Sequence, residues 1–163
     1  DEDSGCHIRD AAKLSAGKGV CAEELWPQTD KNVLKRPTPA CYEDALDHQV
    51  TSYWRLQGID EIKACLAEGF PVVLGFYVYP SCMTEEVKRT GHIPFPSCIE
   101  RYRREPLGGH AVMAVGYNDD TEEITIRNSW GVEWGDDGYG YLPYKFITKG
   151  LADDFWTIRK IEE

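Results

Sequence analysis

Beyond Gly69 the sequence becomes a series of β-branched and aromatic runs separated by turn residues. Val72 to Tyr79, His110 to Tyr117, Glu123 to Asn128, Gly138 to Leu142 and Phe155 to Lys160 read as strands, and Gln49 to Leu56 adds a first one. Asn118-Asp119-Asp120 and Asp136-Asp137-Gly138 supply turns between them. So many strands with few helices between them predict an α+β chain, a twisted antiparallel sheet or barrel preceded by a smaller helical piece. In that preceding piece, Ile8 to Lys18 reads as a helix stopped by Gly19, and Trp26-Pro27 and Pro37-Thr38-Pro39 make most of Val20 to Pro39 a loop. One more helix is expected from Asp60, as its N-cap, to Glu68.

Charge narrows the partners. With 18 Lys and Arg against 28 Asp and Glu, the net charge is −10, which argues against nucleic acid. The one basic cluster, Arg101-Tyr102-Arg103-Arg104, reads as a solvated loop. The longest charge-free stretch, Gly69 to Thr84, is interrupted by Pro71 and Pro80 and is too short to span a bilayer, so no membrane partner is expected. The first residues, Asp1-Glu2, bring neither a methionine nor a signal-like segment, and the expectation is that something upstream is missing.

Six cysteines with no Cys-x-x-Cys or other zinc-type spacing favour disulfides and a secreted or lysosome/vacuole-like compartment. Fifteen complete pairings are possible. Cys82 and Cys98 bracket a loop that a bond between them would close, and Cys65, on the apolar side of the second helix with Ile62 and Leu66, reads as a buried thiol. If Cys21 also pairs with Cys41, Cys6 is left over for an intermolecular bridge.

The chemistry concentrates in two blocks, Gly108-Gly109-His110-Ala111-Val112 running to Ala114-Val115-Gly116-Tyr117, and Asn128-Ser129-Trp130-Gly131 running to Trp134-Gly135. An asparagine downstream of a strand histidine, with a tryptophan two residues on, suits the orientation of an imidazole. Asn128 would fix the His110 ring through its side-chain carbonyl, and Trp130, expected on the same strand face, would shield that hydrogen bond. Metal loops, phosphate loops and serine-hydrolase elbows are missing, so neither metal nor cofactor is expected.

These blocks resemble the catalytic-histidine strand and the asparagine motif of the papain family of cysteine peptidases. Weaker likeness extends to Gly19-Val20 with Leu25-Trp26-Pro27 and to Pro71-Val72-Val73. The resemblance implies a papain-like fold in which residues 1–49 are the later part of the helical left domain and residues 50–163 a complete, antiparallel β-barrel-like right domain. It implies His110 and Asn128 as catalytic residues. It also implies a substrate cleft touched by Gly5, Cys6, His7 and Ile8 on one wall and by Gly109, Trp130 and Trp134 on the other, with the side-chain-free Gly108-Gly109 suggesting a roomy, apolar-tolerant pocket.

The family's nucleophilic cysteine lies roughly 130 to 150 residues before its histidine, further back than this chain reaches from His110. The oxyanion glutamine beside that cysteine is missing with it. Ser4-Gly5-Cys6-His7 precedes a helix whose N-terminus would activate a thiol, but its spacing to His110 is too short, and a disulfide is the better reading of Cys6. The expectation is therefore a cysteine peptidase hydrolysing peptide or protein substrates, this chain carrying the histidine and asparagine while an upstream chain or segment carries the cysteine. The alternative is a non-catalytic papain-like binding or regulatory protein that has lost its nucleophile.

Overall fold

The computed structural model describes residues 6–103 and 105–161. The elements, in order, are α1 (Ile8–Lys18), α2 (Pro39–Ala45), β1 (Val50–Arg55), α3 (Gly58–Ala67), β2 (Val72–Val78), α4 (Glu85–Thr90), α5 (Cys98–Arg103), β3 (Gly108–Asn118), β4 (Glu123–Arg127), β5 (Tyr139–Pro143), α6 (Lys145–Thr148) and β6 (Ala152–Ile161). The sheet has six strands in the order β1-β6-β2-β3-β4-β5. It is open rather than closed into the barrel-like form expected, with β1 and β5 as its edges.

The chain divides into two compact units, one formed by Asp1–Trp54 with Ile158–Glu163 and the other by Arg55–Thr157. In the first, α1 carries Asp10 in its first turn and Lys18 in its last, each complementing the helix dipole. It ends at Gly19 (φ 76°), where a β-carbon would fall 1.6 Å from the Ala45 carbonyl oxygen. Close backbone approach, as much as positive φ, demands glycine there.

The second unit holds the continuous core. Alternate residues of β2 (Val72, Leu74, Phe76, Val78) are buried, and they meet Val112 and Ala114 from β3, Ile124 and Ile126 from β4 and Leu142 from β5. This is the period-two signature of a sheet with one packed face. Ile62 and Cys65 of α3 and Phe146 and Ile147 of α6 belong to the same core. Each large side chain fully buried in this way stabilises the fold by about 1.5–3 kcal/mol.

Three expectations require correction. The helix expected from Asp60 starts earlier, with Gln57 as N-cap, because the Glu61 carboxylate reaches back to accept the Gln57 backbone N–H at 2.7 Å. A reach-back carboxylate satisfies a first-turn donor without a capping side chain on the N-cap residue. Arg101, Tyr102 and Arg103 lie on a helix, α5, and not in a loop, although Tyr102 is fully solvated as expected; Arg104 is outside the described residues. All six cysteines are free thiols, so neither Cys82–Cys98 nor Cys21–Cys41 is bonded. Cys65 is the buried thiol expected, its Sγ donating to Phe70 O at 3.5 Å.

Candidate active site

Strand register builds the site within the second unit. His110 on β3 pairs with Phe76 on β2, and the first β3–β4 pair is Met113 with Arg127, so β3 runs on past the end of β4 toward Gly108. The chain leaving β4 therefore comes out beside the His110 end of β3. Its backbone is held there by the Asn128 N–H, which donates to Gly138 O at 2.9 Å. The side chains of Asn128 and His110 meet: Nε2 lies 2.8 Å from Oδ1.

The Ser129 backbone N–H decides the chemistry of that contact. It donates to the same Asn128 Oδ1 at 2.8 Å, so the atom facing both groups must be the amide oxygen. An oxygen there requires Nε2 of His110 to be the protonated nitrogen. Nδ1 is left without a hydrogen-bond partner among the described residues. An imidazole fixed in this tautomer presents Nδ1 as a proton acceptor when neutral and as a donor when charged.

Aromatic rings enclose the imidazole. Trp130 stacks on it at 4.6 Å between centroids with 24° between planes, Phe76 meets it edge-on at 5.9 Å, and Trp134 packs edge-on against Trp130 at 5.4 Å. Trp130 does not share a strand with Asn128, as had been expected, because β4 stops at Arg127. It reaches the ring from the following loop and remains 39% exposed, whereas Trp134 beneath it is 6% exposed. Trp130 covers one face of the imidazole, and Trp134 holds Trp130.

The expected cleft residues fall as follows. A β-carbon added at Gly108 or Gly109 would meet no atom within 4 Å, so the space beside both glycines is open. A cavity of about 270 Å³ adjoins Trp130 and Trp134 and is lined also by Cys82, Met83, Thr84, Lys88 and Glu133. Sequence reasoning missed it, because its far wall comes from a short 3-10 turn (Pro80–Met83) and α4, elements too brief to show a period. Cys6, His7 and Ile8 belong to the first unit, where His7 is the N-cap of α1 and the exposed Cys6 Sγ lies 3.3 Å from His7 O. Gly5 lies outside the described residues.

No cysteine of the second unit contacts His110. Cys65 bonds to Phe70 O, and Cys98 Sγ accepts from Arg101 Nη2 at 3.3 Å. Burial pushes the Cys82 thiol up, which keeps it from being a thiolate. No described helix is long and apolar enough to cross a membrane.

Comparison with known proteins extends the picture. A family model described as papain family cysteine protease matches residues 3–153. An uncharacterised peptidase C1-like protein of Acanthamoeba polyphaga mimivirus is 36% identical, across 100% of this chain and 54% of its own length. Cysteine proteinase 2 of Entamoeba histolytica is 32% identical, over 83% of this chain and 41% of its own. Among solved structures, xylellain, a cysteine protease from Xylella fastidiosa, superposes with a TM-score of 0.87 at 40% identity, covering 98% of this chain and 63% of xylellain. The chain thus spans about half the length of the curated relatives it matches.

Proposed function

The chain belongs to the papain family of cysteine peptidases, and on that premise we propose that it supplies the histidine and asparagine half of a peptidase active site whose cysteine lies on an upstream segment. The observation that carries this reading is the single Asn128 oxygen taking both the Ser129 N–H and His110 Nε2–H, which leaves Nδ1 free for a thiol.

Each residue then has a defined task. His110 Nδ1 takes the thiol proton, and the imidazolium beside the sulfur favours a thiolate over a thiol whose unperturbed pKa is ~8.5. The sulfur attacks the peptide carbonyl carbon, and the carbonyl electron pair moves to oxygen. As the C–N bond breaks, Nδ1 returns its proton to the departing amine and a thioester remains. Water then attacks the thioester with Nδ1 as base, and the acid and thiol are released. Throughout, Asn128 keeps the ring from turning, while Trp130 limits water at the Nε2 hydrogen bond.

Peptide or protein substrates follow from this chemistry. The open space before Gly109 accommodates a side chain on one side of the scissile bond, and Trp130 with Trp134 offers an apolar wall on the other. Cys6, His7 and Ile8 are assigned to the cleft wall through the family likeness, and a secreted or lysosome/vacuole-like location goes with the same reading. The absence of a thiol contact to His110 within the second unit favours a non-catalytic relative instead, but a binding module has no use for an imidazole held in one tautomer.

The test is peptide hydrolysis by the protein expressed with its upstream sequence. Loss of turnover in His110→Ala and reduced turnover in Asn128→Ala, with both variants folded, supports the proposal. Hydrolysis undiminished by His110→Ala contradicts it.

A further inference from the structure

The cavity of about 270 Å³ beside Trp130 combines an apolar wall with one uncompensated charge. Trp130, Trp134, Met83 and Cys82 form the wall, and Lys88 and Glu133 are its charged residues. On α4 each cation already has an acid one turn earlier: Lys88 Nζ lies 3.9 Å from Glu85 Oε2, and Arg89 Nη2 lies 3.2 Å from Glu86 Oε1. Glu133 lines a surface hollow with those four residues, is exposed, and forms no ion pair among the described residues. Its carboxylate is therefore the charge left over at the cavity.

We propose that Glu133 is a specificity-determining residue, and that the cavity receives a lysine or arginine side chain from the substrate residue that bears the departing amine. This rests on the reading of His110 as the group that returns a proton to that amine. The amine then stands at the imidazole, and Trp130, stacked 4.6 Å from that ring, begins the cavity wall directly beside it. Trp134 continues the wall at 5.4 Å from Trp130.

A lysine or arginine lays its methylene stem along such an apolar surface while its charged head stays in water. Indole rings attract a cation as well. At this cavity the head meets the Glu133 carboxylate. A neutral apolar side chain covers the same wall but gains nothing from Glu133, and an acidic one is repelled by it, with Lys88 already engaged by Glu85. Because Glu133 is exposed, the charge contact confers a preference rather than a requirement.

The experiment uses the protein expressed with its upstream sequence and a peptide series that differs only at the residue bearing the departing amine: lysine, arginine, norleucine or glutamate. The expected kcat/KM for lysine or arginine is about threefold above norleucine and about tenfold above glutamate. In Glu133→Gln the advantage of lysine over norleucine disappears, and in Glu133→Lys glutamate overtakes lysine; neither change disturbs packing at this exposed position. Equal turnover of lysine and norleucine by wild type overturns the inference, as does an advantage that survives Glu133→Gln. A wild-type preference for glutamate, which Lys88 would impose, overturns it equally. Cleavage of none of the peptides contradicts the peptidase reading, and binding then decides the cavity on its own: NMR titration of the same protein with lysine-led and norleucine-led peptide amides, followed at the Trp130 and Trp134 indole N–H signals. Binding of the lysine-led amide about threefold tighter, with the difference lost in Glu133→Gln, supports the inference. Equal binding, or no shift of either indole signal, overturns it.

Discussion

Asn128 Oδ1 lies 2.8 Å from His110 Nε2 and 2.8 Å from the Ser129 backbone nitrogen, so one oxygen fixes both the amide orientation and the imidazole tautomer. In ¹⁵N NMR spectra of the neutral side chain, His110 should appear as the Nε2–H form. Asn128→Ala should release that preference at a stability cost of about 0.5–1.5 kcal/mol, the net worth of one hydrogen bond. In the protein carrying its upstream sequence, turnover should fall at least about tenfold, the equivalent of about 1.4 kcal/mol. Unchanged tautomer and turnover in a folded variant would show that the asparagine orients nothing.

The two tryptophans should separate stability from chemistry. Trp134 is the buried one of the two, and Trp130 is partly exposed. Trp134→Ala should cost about 3–5 kcal/mol in chemical denaturation, as large aromatic truncations in a packed core do. Trp130→Ala should cost clearly less and act mainly on the imidazole it stacks against. Equal destabilisation by both would mean that the loop packs differently from the arrangement described.

Gly135 is fixed by its surroundings. Its φ is 66°, and a β-carbon there would lie 2.2 Å from Tyr139 O, a backbone atom that cannot swing away. Gly135→Ala should destabilise the second unit by about 3 kcal/mol or more, through strain and displacement of the turn under Trp134. Urea unfolding measures it, and a change below about 0.5 kcal/mol would contradict the close approach.

A surface cluster predicts a pH effect. Lys63 bonds to Asp119, Tyr144 Oη donates to the same carboxylate at 3.0 Å, and Lys63 Nζ lies over the Tyr117 ring at 5.2 Å. Lys63 first, and the Tyr144 hydroxyl second, hold the Asp119 carboxyl below its ordinary value of 3.8. A depressed carboxylate contributes stability that is fully present above that ordinary value and is lost as pH falls through the lower folded value. Asp119→Asn should therefore be less stable than wild type near neutrality, with the difference closing as pH drops below 3.8. Salt should shrink the difference, because the pair is exposed. A difference that widens in acid would reverse the assignment.

The strands were legible because burial on one face writes a period of two into β2, β3 and β4, and because turn residues such as Asp136-Asp137-Gly138 punctuate them. His110 and Asn128 were legible because the β3–β4 connection sets their separation in the chain. What stayed hidden was local and short. The helices α4 and α5 depend on caps such as the Thr84 hydroxyl accepting the Val87 N–H at 3.3 Å, and six residues show no hydrophobic period. The role of Ser129 is a backbone donor that any residue but proline offers, so no side-chain pattern marks it. Trp130 was placed on the wrong element because strand spacing was extended past Arg127, where the strand ends.

The central claim is that this chain holds the acid–base half of an active site and not its nucleophile. The direct measurement is mass mapping of an epoxide or vinyl-sulfone cysteine-protease probe, applied to the folded 163-residue chain and to the protein captured from its source by an antibody to this chain. The prediction is no stoichiometric label on any of the six cysteines of the chain alone, and in the captured protein a label on a cysteine outside these residues. Stoichiometric labelling of Cys6, or of any other cysteine in the isolated chain, would contradict it.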